Sequence, residues 1–506
     1  MGNAYILVVF GILIAKGLGF FRDMVFAGVF GTQVAADIYF QVFGLVNLIF
    51  TGIGVALSTL VIKNINKAEN TGRQRSYAAQ FLKKSLIYLV LAAALMAVFA
   101  PQIVKIILPE ITGADFDLAL KMMYVMIPSF IFVVIAYIIS GLLQNEKVYF
   151  VTAIMSLPFN VAIILSLLIP DVSVFTVGIV TTIGWFLHIA ILLPSFYKKG
   201  YSFFKADDRL RTNKGKNLEI LWIFISNMMF QLCFYSDRAF VSTNTGMAAT
   251  FNYASNLFIT ISSVFVVAMS TVVFPSISKN YEEGNIGYVN ELLRYIISIM
   301  SAIFLPFILV VGFFGTDVIR LVYERGSFTS ESTVAVSAVF FIYSLGILGY
   351  VCQELFNKIL YLAGKYKYSV IGTIAVILLN ILCNVLIRKN VSDTAIASSG
   401  LTEQTFWIAT TTSVLLCAYA VLIALGIKKV VGAYWKRDLL KEILKIFISG
   451  ALAAIVYLIF NKLAPEFTHG YITFIIPLLV CGITYIASLF ATGVLKSLIK
   501  NKKGTV

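Results

Sequence analysis

The chain has 506 residues, of which 60% are hydrophobic and 12% charged, with a formal net charge of +15. No water-soluble domain keeps that much apolar surface from solvent, so lipid is the expected solvent and no separate soluble domain is expected. Two histidines (His188 and His469) and five cysteines (Cys233, Cys352, Cys383, Cys417 and Cys481) are scattered and never form CxxC. That leaves little material for histidine-based catalysis, a thiolate metal site or a disulfide framework.

Met1 to Phe10 lacks the basic start and small-residue cleavage site of a removable signal, so this run reads as the first span, retained. An apolar window of about 19 residues places spans in the first half of the chain. They run over 4–29, 35–62, 84–107, 118–143, 148–169 and 174–197. After a basic loop the expected spans are 218–243, 248–275, 290–314, 332–363, 368–388, 404–427, 441–461 and 472–497. The expected fold class is an all-α membrane protein of about 14 transmembrane helices, each crossing a hydrocarbon core about 30 Å thick.

Loop charge sets the orientation. Lys63, Lys67, Arg73, Arg75, Lys83 and Lys84 crowd one loop, and Lys198, Lys199, Lys205, Arg209, Arg211, Lys214 and Lys216 crowd another on the same side. Lys365 and Lys367, then Lys428, Lys429, Lys436, Arg437 and Lys441, and the tail with Lys496, Lys500, Lys502 and Lys503 fall there too. The opposite loops carry Glu110, Asp115, Asp117 and Asp171, so the positive-inside rule puts both termini in the cytoplasm. The positive balance is thus a topology signal with anionic lipid headgroups as partners, and not a nucleic-acid footprint.

An internal repeat appears when Ala36 to Ile62 is slid by 212 positions onto Ala248 to Phe274. Ala36/Ala248, Leu45/Leu257, Ile49/Ile261, Val55/Val267, Ala56/Ala268, Ser58/Ser270, Thr59/Thr271 and Val61/Val273 then coincide without a gap. The second and eighth spans match, so two six-helix lobes share one orientation and the last two helices stand apart. The expected organisation is an N-lobe over 1–200, a basic cytoplasmic loop over 201–217, a C-lobe over 218–430, and helices 13 and 14 with a basic tail over 431–506. Two parallel lobes flanking a midplane site are the layout of an alternating-access transporter.

Several charges lie where they are expensive. Lys16 sits ~18 Å into the first span, where a lysine costs about 2.5 to 3.5 kcal/mol on insertion scales. Arg22 and Asp23 follow on the same helix, which Gly11, Gly17 and Gly19 can bend. Such cations suit phosphate oxygens, Arg as a planar fork and Lys as a point charge. Alternatively, Arg22 pairs with Asp23 or Asp37 and locks the first two helices. Asp237 and Arg238 form the second costly pair. Asn380 and Asn384, with Ile408 and Thr412, repeat an i, i+4 spacing on two later spans. One carboxylate, two amide oxygens, a hydroxyl and a freed carbonyl make a set of hard oxygens suited to Na⁺. The alternative is that Asp237 pairs with Arg238 while the asparagines join helices. Glu354 and Lys358 read as an internal ion pair, and no GxxxxGK[ST] loop supplies an ATP-driven engine.

The run Gly19-Phe20-Phe21-Arg22-Asp23, then Phe30-Gly31, Ala36-Asp37 and Asn47, resembles the N-terminal signature of the MviN/MurJ lipid II flippase family. Asp237-Arg238-Ala239, Asn252-Tyr253-Ala254, Glu324-Arg325-Gly326-Ser327-Phe328-Thr329 and Leu379-Asn380 are similar to its later motifs. The resemblance implies a multidrug/oligosaccharidyl-lipid/polysaccharide exporter fold, with two extra helices forming a groove for the lipid tail. It also implies export of an undecaprenyl-pyrophosphate-linked glycan across a bacterial inner membrane by a monomer, without enzyme chemistry and with no required cofactor. Substrate-binding positions implied by it are Lys16, Arg22, Asp23, Asp37, Asn47 and Asn256, with Na⁺ as coupling ion at Asp237, Asn380, Asn384, Ile408 and Thr412. Phe50 and Asn256 stand where the family carries cavity arginines, Lys16 replaces a family arginine, and Asn384 replaces an acid. These departures keep a flippase for a capsule-type or teichoic-type intermediate as a rival to lipid II. A cation-coupled drug exporter and an inactive scaffold for glycan assembly are the further alternatives.

Overall fold

The computed structural model describes residues 2–65, 71–203, 229–269, 273–432, 434, 437–464 and 475–505. Within those, the side chains of 2–9, 50, 63, 64, 71–73, 229, 230, 267, 268 and 500–505 are left undescribed. Most of the basic loop expected at 201–217, the start of the span expected at 218–243, and Ser270 and Thr271 of the repeat lie outside the described residues, as does the side chain of Phe50.

The described chain is helical apart from one two-stranded antiparallel hairpin, in which Ala395 pairs with Thr402 and Ile396 with Leu401. The first helices are α1 (Gly2–Phe30), α2 (Val34–Ile65), α3 (Thr71–Val98), α4 (Ala100–Ile107) and α5 (Gly113–Asn145). Next come α6 (Phe150–Ala153), α7 (Leu157–Leu167), α8 (Val174–Lys198), α9 (Met229–Val241) and α10 (Met247–Ala268). The remainder are α11 (Phe274–Glu282), α12 (Ile286–Tyr323), α13 (Ser330–Ser344), α14 (Ile347–Leu362), α15 (Tyr366–Asn390), α16 (Glu403–Val431), α17 (Arg437–Leu463), α18 (Ile475–Ala491) and α19 (Val494–Thr505). A backbone in hydrocarbon must satisfy its own N–H and C=O groups, which is why apolar runs of this length become helices.

Among the described residues nine helical segments are long and apolar enough to cross a membrane, and a tenth appears if α13 and α14, bent by 45° at their junction, count as one span. The remaining expected spans fall on α1, α9, α10 and α18. Two expected spans are broken where the sequence supplies a reason: Pro101 opens α4 and Pro158 opens α7, each at the first turn, where its missing N–H is harmless.

The chain divides into two compact units, Met1–Asn252 with Arg325–Phe328, and Tyr253–Glu324 with Thr329–Val506. In the first, α5 is the central helix, 72% of its apolar window being buried, and it packs against both α2 and α8. Small residues permit the close approaches: Gly141 of α5 faces Ser58 of α2, and Gly178 of α8 faces Met122 of α5. In the second unit α16 lies against α14 and α15, and α17 against α12 and α18.

The Glu324 to Thr329 motif has a structural role in the first unit. Its Ser327 N–H donates to the Gly28 carbonyl at 2.8 Å, so residues 325–328 lie on the last turn of α1. Gly31 ends that helix with φ of 54°, and a Cβ there would overlap the Ser327 carbonyl. Gly17, in mid-helix, has open space around it. Gly31→Ala should therefore destabilise the solubilised protein by about 1 to 3 kcal/mol. Gly17→Ala should leave the melting temperature unchanged or raise it, a helix gaining up to about 1 kcal/mol from that exchange. Thermal unfolding of the two variants side by side checks the ordering.

Candidate substrate-binding site

Arg22 and Asp23 are adjacent on α1 and face one another. Asp23 Oδ1 accepts from Arg22 Nε at 3.0 Å and from Nη2 at 2.6 Å. Arg22 Nη1 donates to Asn160 Oδ1 of α7 at 3.2 Å, and Asn160 is itself held by donating from Nδ2 to the Ser156 carbonyl at 3.0 Å. That carbonyl belongs to the N-cap residue of α7 and also accepts the Asn160 backbone N–H at 3.2 Å. The guanidinium also lies 5.6 Å from the ring centroids of Phe43 on α2 and Phe159 on α7.

These contacts hold the cation in place without exhausting it. A guanidinium has five N–H groups, and three are used here, leaving one on each terminal nitrogen. The side chain is 14% exposed. An intramembrane arginine oriented by an acid and an amide, braced by two aromatic faces, with two donors to spare, suits the oxygens of a phosphate or pyrophosphate.

The other first-set residues are placed differently. Lys16 is exposed on α1 and stands about 120° around the helix from Arg22. Asn47 is exposed on α2, one turn beyond Phe43, and accepts from Thr51 at 3.1 Å. Asp37 does not reach for Arg22. Its Oδ2 accepts from the Gly246 N–H and its Oδ1 from the Ala249 N–H, both at 2.6 Å, so this buried carboxylate caps the start of α10. Asn256 lies half-buried on α10 in the second unit.

Of the proposed Na⁺ ligands, four gather in the second unit. Asn380 and Asn384 lie one turn apart on α15, Ile408 and Thr412 one turn apart on α16, and all four are buried. Asn380 Nδ2 donates to Thr412 Oγ1 at 2.8 Å, and Asn384 Nδ2 to Asn380 Oδ1 at 3.5 Å. Asn380, Asn384 and Thr412 supply hard oxygens of the kind Na⁺ takes, whereas Ile408 lies inside the unbroken helix α16, so its carbonyl is not the freed one expected from the sequence. Asp237 is fully buried on α9 in the first unit. Beside it, Arg238 Nη1 donates to Asn252 Oδ1 and the guanidinium lies 5.3 Å from the Tyr235 ring. Glu354 and Lys358, one turn apart on α14, interact electrostatically.

Sequence inspection passed over Asn160, Phe43 and Phe159. Asn160 had a usable signal, as a lone carboxamide inside an apolar span next to a helix-breaking Ser-Leu-Pro run; the two phenylalanines had none.

A family model described as lipid II flippase MurJ matches residues 26–481. A probable lipid II flippase MurJ of Buchnera aphidicola subsp. Baizongia pistaciae is 23% identical over 403 residues, covering 76% of this chain and 77% of that protein. One from Rickettsia prowazekii is 23% identical over 408 residues, covering 78% and 79%. A solved structure of lipid II flippase MurJ in an inward closed conformation matches with a TM-score of 0.78 at 21% identity, over 98% of this chain and 100% of the other. An inward-facing multidrug resistance MATE family transporter of the MOP superfamily matches with a TM-score of 0.66 at 14% identity, over 85% and 98%. The two structures establish the shared helical fold. The family model spans most of the sequence, and the chain therefore belongs to the lipid II flippase MurJ family.

Proposed function

We propose that this multi-pass bacterial inner-membrane protein moves lipid II, the undecaprenyl-pyrophosphate-linked peptidoglycan precursor, from the cytoplasmic to the outer leaflet by alternating access. The single observation that supports a role for this site is the Arg22 guanidinium, fixed inside a transmembrane helix by Asp23 and Asn160 with one N–H left on each terminal nitrogen. A buried cation so braced is maintained against a cost of several kcal/mol. A passing polyanionic headgroup gives that cost a purpose. The family match favours lipid II over a capsule-type or teichoic-type cargo and over a drug. The protein is a transporter and not an enzyme: crossing a leaflet needs binding and release, with no covalent bond changed.

In this scheme Arg22 engages the pyrophosphate, Asp23 and Asn160 position Arg22, and Lys16 adds a second positive charge, with Asn47 and Asn256 as polar contacts. Asp37 acts through the backbone it caps. Na⁺ held by Asn380, Asn384, Thr412 and Asp237 would be the coupling ion. Both termini are cytoplasmic, the basic loops meet anionic lipid headgroups, and a single chain suffices. The membrane potential adds a drive of about 2.3 kcal/mol per charge per 100 mV.

Purified protein in liposomes, offered fluorescent lipid II beside a teichoic-type undecaprenyl-linked glycan, tests the cargo and the site together. Arg22→Ala should slow lipid II flipping by about 10- to 100-fold, the equivalent of losing charge-assisted hydrogen bonds of about 1.5 to 3 kcal/mol. Arg22→Lys should fall between the two because it keeps the charge and loses the fork. Asn160→Ala should show a smaller loss, of about 3- to 10-fold, through misplacement of Arg22. A wild-type rate in Arg22→Ala would remove the basis of the assignment, and preferential transport of the other glycan would reassign the cargo.

Na⁺ should raise the melting temperature of the solubilised protein relative to choline at equal ionic strength, by up to about 2.7 kcal/mol of stability at a hundredfold excess over the dissociation constant. Thr412→Val should abolish that difference. Equal melting in the two salts would eliminate the ion site while leaving the flipping result untouched.

A further inference from the structure

A cavity of about 210 Å³ lies where the first turns of α17 and α19 meet, away from every group used above. Asp438, Lys441, Glu442, Lys445 and Ser497 line it. The four charged positions follow an i, i+3, i+4, i+7 pattern on α17, which sets them on one face. Because α17 is a membrane-crossing helix, its first turns lie at headgroup depth, and residues 438–445 span only about 12 Å of its length.

Two details make this more than a charged surface. Glu442 Oε2 accepts from Ser298 Oγ of α12 at 2.8 Å, whereas its Oε1 is buried and has no hydrogen-bond partner among the described residues. The Ser298 contact anchors this carboxylate in the cavity lining. Lys445 Nζ donates to the Thr492 carbonyl at 3.0 Å, just before α19, which holds this ammonium at the cavity rim. The lining therefore offers an anchored acid and an anchored base, Glu442 and Lys445, beside Asp438 and Lys441 within one small space.

We propose that this cavity binds the phosphoethanolamine headgroup of a membrane phospholipid, its primary ammonium donating to the carboxylates of Asp438 and Glu442 and its phosphate lying between Lys441 and Lys445. A zwitterion matches a lining whose charges cancel. A purely anionic headgroup would bring phosphate against two carboxylates with no cation between them. A phosphocholine headgroup carries the positive charge and has no N–H to give. The assignment is independent of the cargo, since lipid retention is read without transport.

The full-length protein, purified in detergent with defined lipids added, can be assayed by native mass spectrometry for retained phosphatidylethanolamine, phosphatidylcholine and phosphatidylglycerol. Phosphatidylethanolamine should be retained about tenfold more than phosphatidylcholine, the equivalent of one charge-assisted hydrogen bond. E442Q should reduce that preference to near parity, and K441Q with K445Q should lower retention of phosphatidylethanolamine and phosphatidylglycerol alike. S298A removes the other partner of the same carboxylate and should keep the preference, which separates a headgroup contact from general loosening of α17. Equal retention of phosphatidylethanolamine and phosphatidylcholine, a preference for phosphatidylglycerol, or an unaltered preference in E442Q would each overturn the proposal. Soluble glycerophosphoethanolamine offered as competitor should displace the lipid only weakly; binding as tight as the lipid's would assign the cavity to a free zwitterion instead.

Discussion

Hydrocarbon offers no water to a polar group, so an ionised side chain in a membrane helix has to bring its partners from the protein or meet them in what passes by. The architecture around Arg22 follows from that constraint. Asp23 comes with it on the same helix turn, and the remaining partner, Asn160, is 138 residues away on α7. The Ser156 carbonyl accepts both the backbone N–H and the side-chain Nδ2 of Asn160, which holds the carboxamide on the first turn of α7 where it meets α1. Phe43 and Phe159 complete the setting with ring faces, which stabilise a cation without competing for its N–H groups.

This gradation of partners sets what each side chain can do. A guanidinium matched by two carboxylates would be a structural tie. Matched by one carboxylate oxygen, one amide oxygen and two rings, it is held firmly and keeps donors for a ligand. Within the second unit Arg320 shows the contrast: it sits between Asp317 at 3.0 Å and Glu324 at 3.5 Å, and Glu324 in turn accepts from Thr333 at 2.7 Å. That arginine is tied within the end of α12, where Glu324 makes the contact to α13, and the sequence alone draws no line between the two kinds.

Hydropathy carried the helical architecture, because a span's length and apolarity are local properties and lipid leaves the backbone little choice but helix. The Asn380, Asn384, Ile408 and Thr412 grouping was also legible, since two i, i+4 pairs each declare a helix face and the Asn380 to Thr412 hydrogen bond joins those faces. Asp23 was legible as a neighbour of Arg22. What stayed hidden depended on contacts between distant segments: Asn160 meeting Arg22, the Ser327 N–H meeting Gly28, and above all Asp37. An acid near the start of a membrane helix suggests a charged partner, and Asp37 instead takes backbone N–H groups, which every residue but proline carries and no pattern of residue types can reveal.

The internal repeat explains why that acid stands where it does. Under the offset of 212 the repeat equivalent of Asp37 is Ala249, and Ala249 supplies one of the two N–H groups that Asp37 accepts. A residue bonded to its own equivalent sits where a motif meets its copy, so the first turns of α2 and α10 face each other there. Each of those turns exposes helix N–H groups, and one carboxylate between them can serve only one turn. A second acid at 249 would set like charges in contact within a buried site, and two alanines would leave the amides of α10 uncapped. The pair of an acid and a small apolar residue is the arrangement that satisfies one helix start without that repulsion. Asp37 and Ala249 differ in a way that caps one helix start without setting two acids in contact, beside the matches Ala36/Ala248 and Leu45/Leu257.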